Sequence, residues 1–548
     1  MTTQFFTRAR LLEAPRTPGG HPLAAPGPSG FTEPTTLAAR DGRILATGEA
    51  AEAHRGRVPA GASATDLGGA FVLPGFVESH GHPTSFGSSL LDVDVRPGVA
   101  PSVDAICKAV AERVASVEPG EWVLGRGWDE TALPEGLYPT KADLDAVAPD
   151  NPVVLTRTCG HMYACNSAAF AVSGITEDVE DPAGGRFVRD AAGRLTGLVQ
   201  EDAKTFIAKP DPSTADLERG FALAQDRFTA WGVTTVNDLI ATPAAMRMYT
   251  RMNASGDLRV RLRPWLYAVA LAGYPAMLEA AIGAGMSSGV GDDMVRLQGM
   301  KYQLDGAMGG RTAAVSCPFH GSEDDHGILT HDTAKLVDSF RTSAQAGLRM
   351  AIHAIGDAAI EQAFDALAAS GELDWVKENR IRIEHASFPT ADHIARMAEW
   401  NVIASSSISF IHHLGDSYAQ ALGPDRVARV FPHRSYLDAG VVSVGNSDIP
   451  VTNGNPWEGI HGAVTRRTRT GQVLGAAEAI TTAEAIDLYT RQAAFANCEE
   501  DRAGALAPGM FADLQVYEEN PIALGDTDPD ALLELAPESV FLAGKQVA

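Results

Sequence analysis

Phe71-Val72-Leu73-Pro74-Gly75-Phe76-Val77-Glu78-Ser79-His80-Gly81-His82 is an apolar run that breaks at Pro-Gly, resumes, and ends in two histidines one residue apart. It reads as a strand that carries chemistry at its C-terminal end. Side chains alternate across a strand, so His80 and His82 project to the same side and can offer both imidazoles to one metal ion. An isolated His-x-His pair also arises as ordinary polar residues at a strand end, so the reading turns on what lies downstream.

Outward from that stretch the chain repeats short apolar segments. They fall at residues 232–238, 260–267, 295–304, 349–353, 380–385, 401–405 and 441–448, and with the first they make eight. Helical periodicity fills several intervals, at 332–346, 357–370 and 390–400. Strands alternating with helices predict a parallel sheet, here an α/β fold with a (β/α)8 TIM-type barrel over residues 69–499. One interval is too long for a crossover, so residues 85–230 are expected to hold an inserted lobe after the first strand. Leaving from that strand's C-terminal end, the lobe is expected to lie over the barrel mouth and shape the pocket. Residues 1–68 alternate apolar stretches with turn signals such as Asp41-Gly42, and the same texture returns at 504–517 and 539–547. Neither end buries a core alone, so residues 1–68 and 500–548 are expected to combine into a small β-sandwich domain.

Composition narrows the function classes. A formal charge of −25 over 548 residues argues against nucleic acid, anionic membranes and polyanionic substrates as general partners. No apolar run approaches the roughly 20 residues of a membrane span. Met1 to Arg8 lacks the charged start and long apolar core of a signal peptide, which predicts a cytoplasmic protein. Five scattered cysteines, with no Cys-x-x-Cys pair, predict reduced thiols rather than a disulfide framework or a zinc knuckle.

The polar residues at the strand ends form a set. His80 and His82 close the first strand, Lys301 lies on the fourth, His353 ends the fifth, His385 the sixth and Asp448 the eighth. In a barrel these ends meet at one face. Histidine and carboxylate suit zinc, and a catalytic site holds them with one position open for water. A lysine buried among them is a misfit, because desolvation penalises its charge. Carboxylated by carbon dioxide, it becomes a carboxylate able to bridge two ions.

The pattern resembles the amidohydrolase superfamily, and within it the amidohydrolase-3 branch, the YtcJ-like group that includes N-substituted formamide deformylase. The resemblance runs from Leu73-Pro74-Gly75 to His82 and through Gly125-Arg126-Gly127-Trp128-Asp129-Glu130, Gly160-His161-Met162-Tyr163 and Asp305-Gly306-Ala307-Met308-Gly309-Gly310-Arg311. It continues through His353-Ala354-Ile355-Gly356-Asp357, Glu384-His385-Ala386 and Ser447-Asp448-Ile449-Pro450. Two residues depart from it. Glu78 stands where relatives usually carry aspartate, and Gly81 where a bulkier apolar residue is common; neither removes a ligand.

The resemblance implies a metal-dependent hydrolase that cleaves the C–N bond of small non-peptide amides, an N-formyl or N-acyl amine being the reasonable substrate. It implies zinc as one ion, or two if Lys301 is carboxylated, and a homodimer. Asp448 is expected to ligate metal and to act as general base and acid. His161, after a strand and a Cys-Gly turn, is expected to hydrogen-bond the substrate carbonyl, with lobe packing as the plain alternative. Trp128, Glu201, Asp305, Arg311 and Phe319 are candidate substrate-binding residues; for the aromatics the alternative is packing, for Asp305 and Arg311 holding the glycine-rich loop, and for Glu201 a carboxylate at a helix N-terminus. Cyclic-amide opening or ring deamination uses the same activated water and stays open. A non-catalytic, ligand-binding barrel is the competing class, and five metal-binding side chains kept together argue against it.

Overall fold

The computed structural model describes residues 3–13, 21–24, 27–56, 62–130, 133, 137–158, 160, 162–182, 185–270 and 274–548. Eight parallel strands follow one another in chain order: Phe76–Gly81, Val233–Asp238, Arg261–Tyr267, Gly299–Gln303, Arg349–Ala354, Arg382–His385, Ile403–Ser406 and Ser443–Gly445. Each coincides with an apolar segment read from the sequence, Arg349–Ala354 and Ile403–Ser406 running one residue past theirs. Almost every residue in them is buried, as expected for a parallel sheet covered on both faces. The helices Thr333–Gln345, Asp357–Ala369 and Ala391–Trp400 pack outside, driving Leu336, Phe340, Phe364, Leu367 and Met397 against Ile352 and Ile383.

The eighth strand meets the first through the residues that follow it. Asp448 N–H donates to His80 O at 2.9 Å, and His82 N–H donates to Ile449 O at 2.8 Å. Gly81 is the residue facing Ile449, and a Cβ there would stand 3.0 Å from Ile449 Cγ2. The missing side chain lets this seam come together.

The opening stretch is two strands rather than one. Phe71–Pro74 belongs to a sheet built from both chain ends, and Phe76–Gly81 to the barrel. The hand-over is Gly75, where a Cβ would lie 2.0 Å from Thr234 Oγ1 of the second barrel strand. In the end sheet Thr3–Glu13 is the hub, antiparallel to Thr35–Arg40 and parallel to Ser63–Asp66 and Phe71–Pro74. From the other end of the chain, Leu514–Tyr517 pairs antiparallel with both Phe71–Pro74 and Ser539–Leu542. Arg261 of the third barrel strand docks on this layer, donating to Asp513 at 2.7 and 3.0 Å with its guanidinium 3.6 Å over the Phe511 ring.

Residues Thr84–Ala224 form a compact unit of their own. Its six-stranded sheet runs in the order Gly185–Arg189, Leu195–Glu201, Met162–Cys165, Val153–Arg157, Val123–Trp128, Val93–Asp94. The helices Val103–Val114 and Lys141–Val147 supply Ile106, Val110 and Leu144 to a core shared with Trp128, Val153 and Leu155. Among the described residues, no helix is long and apolar enough to cross a membrane.

Candidate active site

The C-terminal ends of the barrel strands bring the histidines and Asp448 together. Asp448 Oδ1 lies 3.0 Å from His82 Nε2 and 3.5 Å from His80 Nε2. The ligand atoms of these three residues fall within 4.8 Å of one another. The His385 ring stands 4.7 Å from that of His80, and the His353 ring 4.4 Å from that of His385. Two of these residues owe their aim to unusual backbone: His385 (φ 67°) and Asp448 (φ 54°) sit in the left-handed region that non-glycine residues avoid. Each costs about 1 kcal/mol or more, a strain that persists where surroundings over-determine it.

Hydrogen bonds on the far side of each ring settle which nitrogen is left to bind. His80 Nδ1 lies 2.6 Å from Glu384 Oε2 and His385 Nδ1 lies 2.8 Å from Ser407 Oγ, so each presents Nε2. His353 Nε2 faces Gly306 O at 3.2 Å, leaving Nδ1. Glu384 is held by Arg382 through Nε at 2.7 Å and Nη2 at 3.0 Å. Glu78, fully buried, accepts the His80 N–H at 3.0 Å, the Ser447 N–H at 3.1 Å and the Ser447 hydroxyl at 2.6 Å. It ties the strand that ends in His80 to the turn that carries Asp448.

Several polar atoms at this face are buried without a partner: Lys301 Nζ, His82 Nδ1 and Asp448 Oδ1. An unmet buried polar atom costs about 1–3 kcal/mol, so three in one place call for a group that satisfies them. A metal ion fits: two Nε2 atoms flank a carboxylate oxygen that makes no hydrogen bond. Burial pushes the Lys301 amine down to about 8, against the opposing pull of Glu384 and Asp448, with Arg382 adding to the depression. Burial first, then neighbouring positive groups, holds His80 and His385 well below the usual imidazole range, so both rings are neutral donors.

Asp305 is fully buried and accepts the N–H groups of Ala314, Ile355 and Gly356, with Oδ1 3.3 Å from His353 Nε2. It pins the loop beneath His353, the loop-holding role expected as its alternative. Arg311 donates to His320 O at 3.1 Å, 6.0 Å over the Phe319 ring. Phe319 is packed inside an apolar cluster with Ile355, Phe388 and Phe410. Trp128 is fully buried in the core of the Thr84–Ala224 unit, its indole N–H on Leu155 O at 2.9 Å. Each aromatic is part of an apolar core, the packing role expected as its alternative. Glu201 ends Leu195–Glu201 and is exposed, and His161 lies outside the described residues.

Glu384 and Arg382, which the sequence reading does not single out, stand against the ring of His80. Their signal is in Arg382-Ile383-Glu384-His385: two opposite charges two residues apart, on one face of a strand that is buried on both faces, have to meet inside the barrel.

Comparison with known proteins agrees with this geometry. The model of the family described as "Amidohydrolase family" matches residues 63–548. The chain is 31% identical over 493 residues to YtcJ of Bacillus subtilis (strain 168), covering 88% of this chain and 89% of that protein. It is 27% identical over 496 residues to N-substituted formamide deformylase of Arthrobacter pascens, covering 88% and 89%. Among solved structures, an uncharacterized metal-dependent hydrolase from Pyrococcus horikoshii OT3 superposes with a TM-score of 0.78 at 24% identity, over 96% of this chain and 99% of that one.

Proposed function

This chain belongs to the amidohydrolase family, and from that premise we propose that it is a zinc-dependent hydrolase cleaving the carbon–nitrogen bond of small N-formyl or short N-acyl amines. The observation that carries the reading is Asp448 Oδ1, buried, without a hydrogen bond, and 3.0 and 3.5 Å from two imidazole Nε2 atoms. The similarity to N-substituted formamide deformylase supports the choice of acyl group.

His80 Nε2, His82 Nε2 and Asp448 would hold one ion; His385 Nε2 and His353 Nδ1 would hold a second. Lys301, its amine buried without a hydrogen bond, would serve both ions if carboxylated. Its buried amine, depressed by desolvation, is readily neutral, and a neutral amine adds carbon dioxide to give a carbamate and one proton. Bound zinc supplies Lewis acidity, which lowers the pKa of water towards ~7 and polarises a carbonyl. Asp448 takes the proton from the attacking water as the new C–O bond forms, and passes it to the nitrogen as the C–N bond breaks. The amine then leaves neutral, and the acyl group leaves as its acid, formic acid for a formyl group, which gives the second proton of the water to solvent.

The test pairs metal content per chain, on protein purified without added metal, with formate release from N-benzylformamide. About two zinc ions and formate are expected. Protein that holds zinc but yields a ring-opened acid from a cyclic amide, or ammonia from an aminated ring, would replace the acyl-amine reading. Formate release by protein that holds no metal would overturn the metal-dependent mechanism.

A further inference from the structure

We propose that Glu384, clamped by Arg382, is a positioning residue for His80: it fixes the tautomer and the rotation of that imidazole, and so sets the divalent-metal affinity of the site. This rests on the metal-site reading above but is separable from it.

The geometry is one-sided. Of the two histidines that close the first strand, His80 alone has an anchor on its far nitrogen: Nδ1 lies 2.6 Å from Glu384 Oε2, while His82 Nδ1 is buried and without a partner. A carboxylate is an acceptor only, so the proton between them belongs to Nδ1 and the lone pair of Nε2 faces Asp448. A ring held this way has lost its freedom to flip or to change tautomer before an ion arrives.

Glu384 is in turn immobilised. Arg382 reaches both of its oxygens, at 2.7 and 3.0 Å, and the same Nη2 donates to Ser79 O at 2.6 Å and to Ser405 Oγ at 2.9 Å. Arg382 therefore grips the residue immediately before His80 as well as the carboxylate that orients its ring. Strands one, six and seven are locked in a single cross-barrel unit, all of it at 0–1% exposure. An ion pair this deep gains little net stability over an apolar filling of the same volume. Orientation of a ligand gives it a role that packing does not. Strand six thus serves the site twice: His385 is a candidate ligand, and the residue before it aligns a ligand across the barrel.

The full-length protein with Glu384→Gln tests this, alongside the double variant R382M/E384Q, which leaves no unpaired charge inside. Metal-free protein is titrated with cobalt(II) against a competing chelator, and the visible band of the bound ion is recorded. Each variant is expected to bind cobalt about 10–100-fold more weakly, with a shifted band. A third measurement uses the unaltered metal-free chain with 15N-labelled histidine, the His80 signal being assigned by its loss in His80→Ala. It is expected to show neutral imidazole protonated at Nδ1. Cobalt affinity within about threefold of wild type in a folded variant, or His80 protonated at Nε2, would overturn the proposal. Unaltered protein that binds no divalent metal would instead overturn the metal-site reading.

Discussion

Glu78 offers the most direct check on how the site is held. Replacing it with alanine removes the acceptor of two buried backbone N–H groups, those of His80 and Ser447, while the Ser447 hydroxyl is free to rotate. Each stranded N–H costs about 1–3 kcal/mol, so the variant should lose about 2–6 kcal/mol. The unit that contains the barrel and both chain ends spans about 400 residues. At about 2.1 cal/mol/K of unfolding entropy per residue, that loss lowers its midpoint by about 2–7 °C. Circular dichroism melting of the metal-free protein reads the shift. Hydrogen–deuterium exchange of peptides covering 76–82 and 443–449 locates it, with faster exchange expected in both. An unchanged midpoint with unchanged protection in these two peptides would show that Glu78 does not join the strand of His80 to the turn of Asp448.

Asp448→Asn should cut turnover by about 10²–10⁴-fold while retaining part of the metal, because one carboxylate oxygen survives as an amide acceptor; full activity would remove Asp448 from the mechanism. Chelator-stripped protein should recover two ions per chain only when reloaded with bicarbonate present, and Lys301→Met should stop at one; bicarbonate-independent recovery would leave Lys301 an unmodified amine. His433 is buried with both ring nitrogens unpartnered, and burial, reinforced by Arg466, holds it well below the usual imidazole value. The unfolded chain therefore binds a proton near pH 6.5 that the folded chain refuses, and stability should fall by up to about 1.4 kcal/mol per pH unit as pH drops below 6.5. His433→Leu should flatten that slope in pH-dependent urea melts; an unchanged slope would assign it to other groups.

Much of the architecture is legible in the sequence because barrel strands are buried on two faces and so appear as continuous apolar runs. The alternation of those runs with helical periodicity is enough for the barrel, and strand-end positions suffice to bring His80, His82, His353, His385 and Asp448 to one face. What is not legible depends on direction. A lone aromatic such as Trp128 or Phe319 carries no sign of which core it enters. The left-handed turn that aims His385 has no glycine to announce it. The Pro74-Gly75 break looks like an interruption within one strand, and only Thr234, more than 150 residues later, shows why a glycine must stand there. Arg382 and Glu384 are readable in principle, since opposite charges at one-residue remove on a buried strand have nowhere to go but to each other.

The hand-over at Gly75 also sets an order of assembly. Phe71–Pro74, the platform from which the first barrel strand departs, has Thr3–Glu13 on one edge and Leu514–Tyr517 on the other. During synthesis the first neighbour is available almost at once, whereas the second emerges only after every barrel strand has been made. A nascent chain therefore carries an open strand edge at the start of its first barrel strand, the end away from His80 and His82, until Leu514–Tyr517 has been made. Closing that edge follows the making of all eight barrel strands, so docking of Leu514–Tyr517 seals the base of a barrel whose strands are already in hand.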